Sequence, residues 1–266
     1  MRILLIKMSS MGDVFHVFPA LSDALKAKPN LEIDWIVEKD FAEIPQWHPA
    51  VKKVWAIELR KWCKNPFKFR QQIKQFFLAI NQQDYDLVID AQGLLKSAWV
   101  SFKIKSALKK VGFDWTSVRE PLASLFYQAK IKVAKQQHAI TRLRELFAKS
   151  LGYEWQENSI INYGLSTESW QPLAEINKPY CVFLHGTTWE TKLWPEEYWV
   201  ELASKLEYKN ITIVLPWGNE AEKQRSERLN AKIHQGWVPQ TRLSLNKMAI
   251  CLKHADFVVS VDTGLS

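Results

Sequence analysis

Cysteine, glycine and long apolar runs are all scarce in this 266-residue chain. The three cysteines lie far apart, at Cys63, Cys181 and Cys251, which argues against a disulfide framework or a metal cluster and favours a reducing compartment. Nine glycines and eleven prolines exclude collagen-like and low-complexity chains. No stretch approaches the ~18 apolar residues of a membrane-spanning helix, and the N-terminal apolar run is shorter than the about 7–15 residues of a signal-peptide core. These absences predict a globular cytoplasmic protein.

Positive charge is concentrated in the first part of the chain. Residues 1–150 hold 25 basic and 14 acidic side chains, a net of +11, whereas residues 151–266 hold 11 and 14, a net of −3. Such asymmetry predicts two domains with different partners. The basic half is expected to meet an anionic partner, and composition leaves open whether that is nucleic acid, a membrane surface, or an anionic sugar or lipid.

Short apolar runs alternate with amphipathic segments along the chain, which predicts repeated strand–helix units. RILLIK, EIDWIV and DLVID are typical of buried strands, and residues 14–28 and 137–151 have the periodicity of amphipathic helices. A second series contains YCVFLH, ITIVLP and FVVSV. Repeated units of this kind predict an α/β fold with mainly parallel sheets and helices on both faces.

Periodicity is lost between the two series, which predicts an N-terminal domain at residues 1–155, a linker at 156–178 and a C-terminal domain at 179–266. Ligands of parallel α/β sheets bind at the carboxyl ends of the strands. The candidate ligand-binding loops therefore follow strands, at residues 8–13, 91–97, 185–194, 216–222 and 262–266.

The loop at residues 8–13 ends in Asp13, beside the positive end of the next helix. An ionised carboxylate there can accept a proton from a hydroxyl nucleophile; alternatively, Asp13 only caps the helix. The chain contains neither G-x-G-x-x-G nor G-x-x-x-x-G-K-[ST], so NAD enzymes and P-loop NTPases are not expected.

Two loops of the second half carry hydrogen-bond donors suited to phosphate. Thr187, Thr188 and Lys192 follow one strand and are typical of a phosphate or diphosphate site, or alternatively of a solvated turn. Asp262 follows another strand, and Gly264 indicates a turn just after it. The free backbone amides of such a turn can bind phosphate; the alternative is that Asp262 caps a helix.

Basic residues of the first half form a further candidate site. They are either a solvated face or a site for an anionic ligand. Interleaved aromatic side chains are compatible with single-stranded nucleic acid, yet no RNP, KH or zinc-finger pattern is present. The histidines and cysteines show no metal-ligand spacing. The residues concerned are Arg60, Lys64, Arg119, His138 and Arg142.

Several long segments together resemble the lipopolysaccharide heptosyltransferase I family. They are MRILLIKMSSMGDVFHVFPAL, VIDAQGLLKSA, REPLASLFY, KQQHAITRLRELFAKSLGY, FLHGTTWETKLWPEEYW, LPWGNEAEKQR and FVVSVDTGLS. The resemblance implies the GT-B fold, with two Rossmann-like domains facing across a cleft. It also implies an inverting glycosyltransferase that moves L-glycero-D-manno-heptose from ADP-heptose to the first Kdo of Kdo–lipid A in lipopolysaccharide inner-core biosynthesis.

The resemblance assigns roles to particular residues. Asp13 is the implied general base. The acceptor side, which would pair with Kdo carboxylates and lipid A phosphates, is Arg60, Lys64, Arg119, His138 and Arg142. The nucleotide-sugar side is Thr187, Thr188, Lys192, Glu222, Leu243, Asp262, Thr263, Gly264 and Leu265. No metal or other cofactor is expected, because these donors meet the charge of the leaving ADP.

The resemblance also implies a peripheral position on the cytoplasmic face of the inner membrane and no nucleic-acid partner. The family continues beyond Ser266, which predicts that this chain is C-terminally truncated, with an incomplete second domain and an exposed last strand. The alternatives are a heptosyltransferase II-type sister enzyme, against which the KSA and REPLASLFY segments argue, and a truncated, non-catalytic binding form.

Overall fold

The computed structural model describes residues 1–177, 179–187, 189–207 and 210–265. The chain divides into two compact units, Met1–Thr167 and Glu168–Ser266, so the boundary falls inside the segment predicted as the linker. Each unit contains a parallel sheet with helices between successive strands. Within the described ranges, no helix combines the length and apolarity needed to cross a bilayer.

The sheet of the first unit has six parallel strands. They are β1 (Arg2–Ile6), β2 (Glu32–Glu38), β3 (Val51–Ile57), β4 (Leu87–Asp90), β5 (Lys110–Phe113) and β6 (Ala129–Ile131). Their order is β3-β2-β1-β4-β5-β6, which is the Rossmann order. β1 lies at the centre, and Ile3, Leu4, Leu5 and Ile6 are fully buried because helices cover both faces of a doubly wound sheet.

Six α-helices accompany this sheet. They are α1 (Met11–Phe15), α2 (Phe18–Ala27), α3 (Leu59–Lys64), α4 (Arg70–Ile80), α5 (Leu95–Lys103) and α6 (Ala139–Leu151), with a 3-10 helix at Pro121–Phe126. The single helix predicted over residues 14–28 is wrong. Pro19, the second residue of α2, has no N–H to continue α1 but suits a helix start, so the chain breaks between Phe15 and Phe18.

The described residues of the second unit form a sheet of four parallel strands. They are β7 (Tyr180–Leu184), β8 (Thr212–Val214), β9 (Gly236–Trp237) and β10 (Phe257–Ser260), accompanied by α7 (Glu196–Glu207), α8 (Glu220–Asn230) and α9 (Leu245–His254). The order β10-β7-β8-β9 repeats the arrangement of the first four strands of the chain. β10 lies at the edge of this sheet, and Phe257 and Val258 are exposed.

Candidate active site

The strand order of each sheet reverses at one point, between β1 and β4 in the first unit and between β7 and β10 in the second. Connections leave such a point in opposite directions and open a crevice at the carboxyl ends of the two strands. Asp13 follows β1, Lys192 follows β7 and Asp262 follows β10. Residues predicted from the sequence therefore lie at both reversal points.

Ser10 is the N-cap residue of α1 and Asp13 is the third residue of the helix, so Asp13 is not the N-cap itself but completes a capping box with Ser10. The Asp13 carboxylate accepts hydrogen bonds from the Ser10 backbone N–H at 3.0 Å and from the Ser10 hydroxyl at 3.2 Å. The Lys7 ammonium lies 3.4 Å from the other carboxylate oxygen. With 35% of its side chain exposed, the Asp13 carboxylate is held in place yet remains accessible.

The surroundings of Asp13 favour its ionised form. Burial by itself raises the pKa of Asp13, but the Lys7 charge and the hydrogen bonds from Ser10 outweigh burial and lower that pKa. Burial lowers the pKa of Lys7, and the Asp13 charge offsets part of this effect. A carboxylate that is ionised and accessible at neutral pH can accept a proton from a bound hydroxyl.

Gln92 holds the loop that leads to Asp13, a contact that sequence reasoning missed. The Gln92 side-chain oxygen accepts a hydrogen bond from the Met8 N–H at 2.9 Å, and its amide nitrogen donates to the Ser9 carbonyl at 2.8 Å. The Gln92 N–H donates in turn to the buried carboxylate of Asp90, which also accepts from the Tyr127 hydroxyl. The position after β4 is the only sequence signal for this clamp.

A cavity of about 150 Å³ adjoins Asp13 and is lined by Lys7, Arg119 and Arg142. The Arg142 guanidinium lies 5.0 Å from the centre of the Phe113 ring and donates to the Ser117 carbonyl. Three cations around one carboxylate make this cavity suitable for an anionic group.

The other predicted acceptor residues lie on two helices. His138 caps α6, the helix that carries Arg142, by accepting a hydrogen bond from the Ile140 N–H at 3.3 Å, and its ring centre lies 5.7 Å from that of His16. Arg60 and Lys64 lie on the exposed side of α3. The Arg60 N–H donates to Glu38 at the carboxyl end of β2.

Lys192, Thr187 and Asp262 join the loops after β7 and β10. The Lys192 ammonium lies 2.5 Å from the Asp262 carboxylate, and the Thr187 hydroxyl donates to the Asp262 carbonyl at 2.9 Å. Thr188 lies outside the described residues. A lysine and a hydroxyl at the carboxyl ends of adjacent strands are well placed for a diphosphate.

The turn after Asp262 contains Thr263, Gly264 and Leu265. Leu265 packs against the same buried cluster as Leu243, at the side of the sheet that contacts α9. The two leucines give this end of the sheet an apolar border next to the polar groups.

Glu222 lies in the first turn of α8, where negative charge is favoured. Its carboxylate accepts from the Gly218 N–H at 2.6 Å. It also packs closely on Gly186, where an added Cβ would come within 2.7 Å of the Glu222 carboxyl carbon. Glycine is therefore required at position 186 for Glu222 to keep this place.

His185, which sequence reasoning also missed, ties β7 to α8. Its Nε2 atom lies 2.9 Å from the Ser226 hydroxyl, and burial lowers the pKa of His185 to about 4. The imidazole is therefore neutral at pH 7 and acts as a structural link rather than as a charge. Across the described ranges, no group of three or more His, Cys, Asp or Glu side chains is arranged to hold a metal ion.

Comparison with known proteins agrees with this architecture. The model of the family described as glycosyltransferase family 9 (heptosyltransferase) matches residues 73–266. Lipopolysaccharide heptosyltransferase 1 of Pseudomonas aeruginosa is 48% identical over 267 residues, covering 100% of this chain and 74% of the relative.

Two solved structures of the Escherichia coli heptosyltransferase WaaC are also similar. The complex with ADP has a TM-score of 0.93 at 47% identity, covering 100% of this chain and 83% of that one. The complex with ADP-2-deoxy-2-fluoro heptose has a TM-score of 0.91 at 46% identity, covering 100% and 84%. The predicted α/β fold of GT-B type is confirmed, as is the prediction of a glycosyltransferase. Because the family model matches nearly three quarters of its length and a relative 48% identical aligns over all of it, the chain belongs to glycosyltransferase family 9, the heptosyltransferases.

Proposed function

We propose that this enzyme transfers L-glycero-D-manno-heptose from ADP-heptose to the first Kdo of Kdo–lipid A, with inversion, in lipopolysaccharide inner-core biosynthesis. The observation that carries the proposal is the accessible, ionised Asp13 beside a cavity lined by Lys7, Arg119 and Arg142. An acceptor that carries both a carboxylate and a nucleophilic hydroxyl needs this combination of a base and cations. The relatives' names and the ADP-heptose analogue bound to the Escherichia coli enzyme support the same donor and pathway.

On the acceptor side, Asp13 takes the proton of the Kdo hydroxyl as its oxygen attacks the anomeric carbon of heptose. The new C–O bond forms as the bond to the ADP oxygen breaks, so a single displacement inverts the configuration and needs no covalent intermediate. The proton ends on Asp13 and the electron pair leaves with ADP. The cations that pair with Kdo carboxylates and lipid A phosphates are Arg60, Lys64, Arg119, His138 and Arg142.

On the donor side, the leaving diphosphate gains negative charge, which the Lys192 ammonium, the hydroxyls of Thr187 and Thr188, and the backbone amides of residues 263–265 stabilise. Lys192 pairs with Asp262 in this structure, and the donor diphosphate replaces that partner. Three further residues contact the donor. The carboxylates of Glu222 and Asp262 accept hydrogen bonds from sugar or nucleotide hydroxyls, and the apolar side chain of Leu243 contacts adenine.

This chemistry needs no metal ion, because the ammonium, hydroxyls and amides together supply the positive potential that the diphosphate requires. We therefore expect an excess of EDTA to leave the initial transfer rate unchanged. A rate that falls with EDTA and returns with added Mg²⁺ would show that a metal takes part.

The acceptor is anchored in lipid, whereas the donor is a water-soluble nucleotide sugar. We therefore propose that the enzyme acts as a peripheral protein on the cytoplasmic face of the inner membrane, with no nucleic-acid partner.

The function is tested by incubating the protein with ADP-heptose and Kdo–lipid A, and following ADP release and product mass. We expect ADP and mono-heptosylated product in equal amounts, and no reaction with an acceptor that already carries the first heptose. Product only on that second acceptor would identify a heptosyltransferase II-type enzyme. Donor binding without product on either acceptor would identify a non-catalytic binding form.

The Lys7–Asp13 pair predicts a specific pH dependence. In Lys7→Met the cation that lowers the Asp13 pKa is lost while burial, which raises that pKa, remains. Asp13 then becomes protonated at higher pH, so the acid limb of the kcat/KM profile moves to higher pH. Lys52→Met removes an exposed lysine on β3 and is the matched control. An acid limb that stays in place, or moves to lower pH, would exclude Asp13 as the titrating base.

The clamp by Gln92 predicts a loss of turnover without a loss of donor binding. Gln92→Ala removes the hydrogen bonds to Met8 and Ser9 and loosens the loop before Asp13. We expect kcat to fall about tenfold, because misplacing a base by a fraction of an ångström is costly, with an unchanged dissociation constant for ADP-heptose by calorimetry. The control is Gln46→Ala, which removes an exposed glutamine whose side-chain amide donates to the Ala42 carbonyl at 3.2 Å.

A further inference from the structure

Large apolar side chains are exposed together where α5 packs against the 3-10 helix Pro121–Phe126. Leu95 and Phe102 of α5 are 41% and 57% exposed, and Leu122 and Leu125 of the 3-10 helix are 53% and 64% exposed. The two elements are in contact, because the rings of Phe102 and Phe126 meet edge to face at 5.9 Å. We call the surface made by Leu95, Phe102, Leu122 and Leu125 the α5 face.

Helical spacing places lysines beside the apolar residues of this face. Leu95 and Phe102 are seven residues apart, two turns of helix, and therefore share one side of α5. Lys96 and Lys103 are also seven residues apart and lie on the adjacent stripe. The outer side of α5 is thus both apolar and cationic, the pattern of a helix that lies in a membrane interface.

Basic side chains outnumber acidic ones around the α5 face. Residues 91–135 contain eight lysines and one arginine against two acidic residues, Asp114 and Glu120. The Glu120 carboxylate accepts a hydrogen bond from the Leu95 N–H at 2.6 Å. The Lys110 ammonium lies 5.8 Å from the centre of the Phe102 ring and donates to the Phe102 carbonyl. This excess of cations is suited to an anionic surface.

The α5 face begins at the cavity that holds Asp13. α5 starts shortly after Gln92, and the 3-10 helix starts two residues after Arg119; both Gln92 and Arg119 line that cavity. The Glu120 N–H donates to the Gly93 carbonyl at 3.2 Å, which fixes the two segments together at this end. A lipid-linked acceptor whose sugar enters the cavity would have its lipid next to the α5 face.

We propose that the α5 face docks on an anionic lipid bilayer and presents the Asp13 cavity to the lipid-linked acceptor. This inference rests on the proposed function for the nature of the acceptor. Apolar side chains enter the headgroup region while lysines are attracted to anionic lipids, and the two contributions together give firm binding. A second copy of the chain is a poorer occupant, because a symmetric dimer would bring the lysines of both copies face to face.

The first test is co-sedimentation with vesicles of phosphatidylethanolamine and phosphatidylglycerol, compared with vesicles of phosphatidylcholine alone. The double variant Phe102→Ser/Leu125→Ser should bind the anionic vesicles at least tenfold more weakly than the wild type, because two large apolar side chains are lost. The matched control is Phe67→Ser, which removes a 90% exposed aromatic between Lys64 and Lys68. Unchanged binding by the double variant, or an equal loss in the control, would overturn the proposal.

A second variant tests the charge while leaving the apolar face intact. Lys105 and Lys109 are exposed, so Lys105→Glu/Lys109→Glu should fold normally and still lose at least tenfold in affinity for the anionic vesicles. Lys52→Glu is the control for a change of net charge elsewhere. Light scattering tests whether a second copy of the chain covers the α5 face instead. A wild-type dimer that Phe102→Ser/Leu125→Ser converts to a monomer would overturn docking on lipid.

Transfer rates on a soluble and on a lipid-linked acceptor distinguish a failure of membrane docking from a failure of the proposed function. Phe102→Ser/Leu125→Ser should keep the wild-type rate on a soluble Kdo acceptor without acyl chains and lose rate only on Kdo–lipid A in vesicles. Equal losses on both acceptors would overturn the docking role. If the wild type gives no product on either acceptor, the proposed function fails, and docking is then decided by vesicle binding alone.

Discussion

Asp13→Asn lowers kcat for heptosyl transfer by about 10²–10⁴-fold, the usual contribution of a positioned general base, and leaves the dissociation constant for ADP-heptose unchanged. Asparagine keeps the side-chain oxygen that accepts from the Ser10 N–H, so the start of α1 is preserved while the basic group is lost. Initial rates and calorimetric titration measure the two quantities.

Two further variants complete this experiment. Asp13→Ala removes the hydrogen bond to Ser10 as well as the base, and it should be no more active than Asp13→Asn. Asp84→Asn removes an exposed carboxylate of the same unit and should behave as wild type. If Asp13→Asn weakens donor binding as much as it slows transfer, Asp13 has no role as the base.

Lys192→Ala raises the dissociation constant of ADP-heptose by about 10–100-fold. A charge-assisted hydrogen bond contributes about 1.5–3 kcal/mol, and each 1.4 kcal/mol is about tenfold in affinity. The exposed pair of Lys192 and Asp262 adds little to folding stability, so the measured loss reports donor binding. Isothermal calorimetry with ADP-heptose and with ADP gives the affinities.

Lys205→Ala is the matched control for this change. Lys205 pairs with Glu201 on α7 at 2.7 Å, so the same charge is removed from an ion pair that is away from the reversal point between β7 and β10. It should bind ADP-heptose like the wild type. A Lys192→Ala protein with wild-type affinity and rate would remove Lys192 from the donor site.

Secondary structure was predictable where a local pattern had a single interpretation. RILLIK and DLVID form β1 and β4 because buried parallel strands are continuous apolar runs. The helix over residues 14–28 was predicted wrongly because the apolar period continues across Pro19, and periodicity does not register a missing N–H. The segment at Leu59–Lys64 was interpreted as a basic surface with interleaved aromatic side chains, although Leu59 and Trp62 are buried on the inner side of α3.

The candidate site was likewise predictable only where a local pattern marked its residues. Asp13, Lys192 and Asp262 were found because each follows a strand of recognisable composition, and the motifs around them resembled a known family. Gln92 and His185 lie in two of the candidate loops, but their contacts were missed because the partners are distant in the chain. Gln92 contacts a loop 84 residues earlier in the chain, and His185 contacts Ser226, 41 residues later.

The sequence by itself determined the α/β class, the division of charge between the halves, and the residue types available for base and phosphate chemistry, because these depend on composition and short-range period. Only the tertiary structure decided which of them meet. Parallel pairing of β7 with β10 brings Lys192 to Asp262, and pairing of β1 with β4 brings Gln92 to the loop that leads to Asp13. Exposure of the α5 face was likewise decided by packing, since Leu95 and Phe102 have the composition of core residues but lie on the side of α5 that the sheet leaves uncovered.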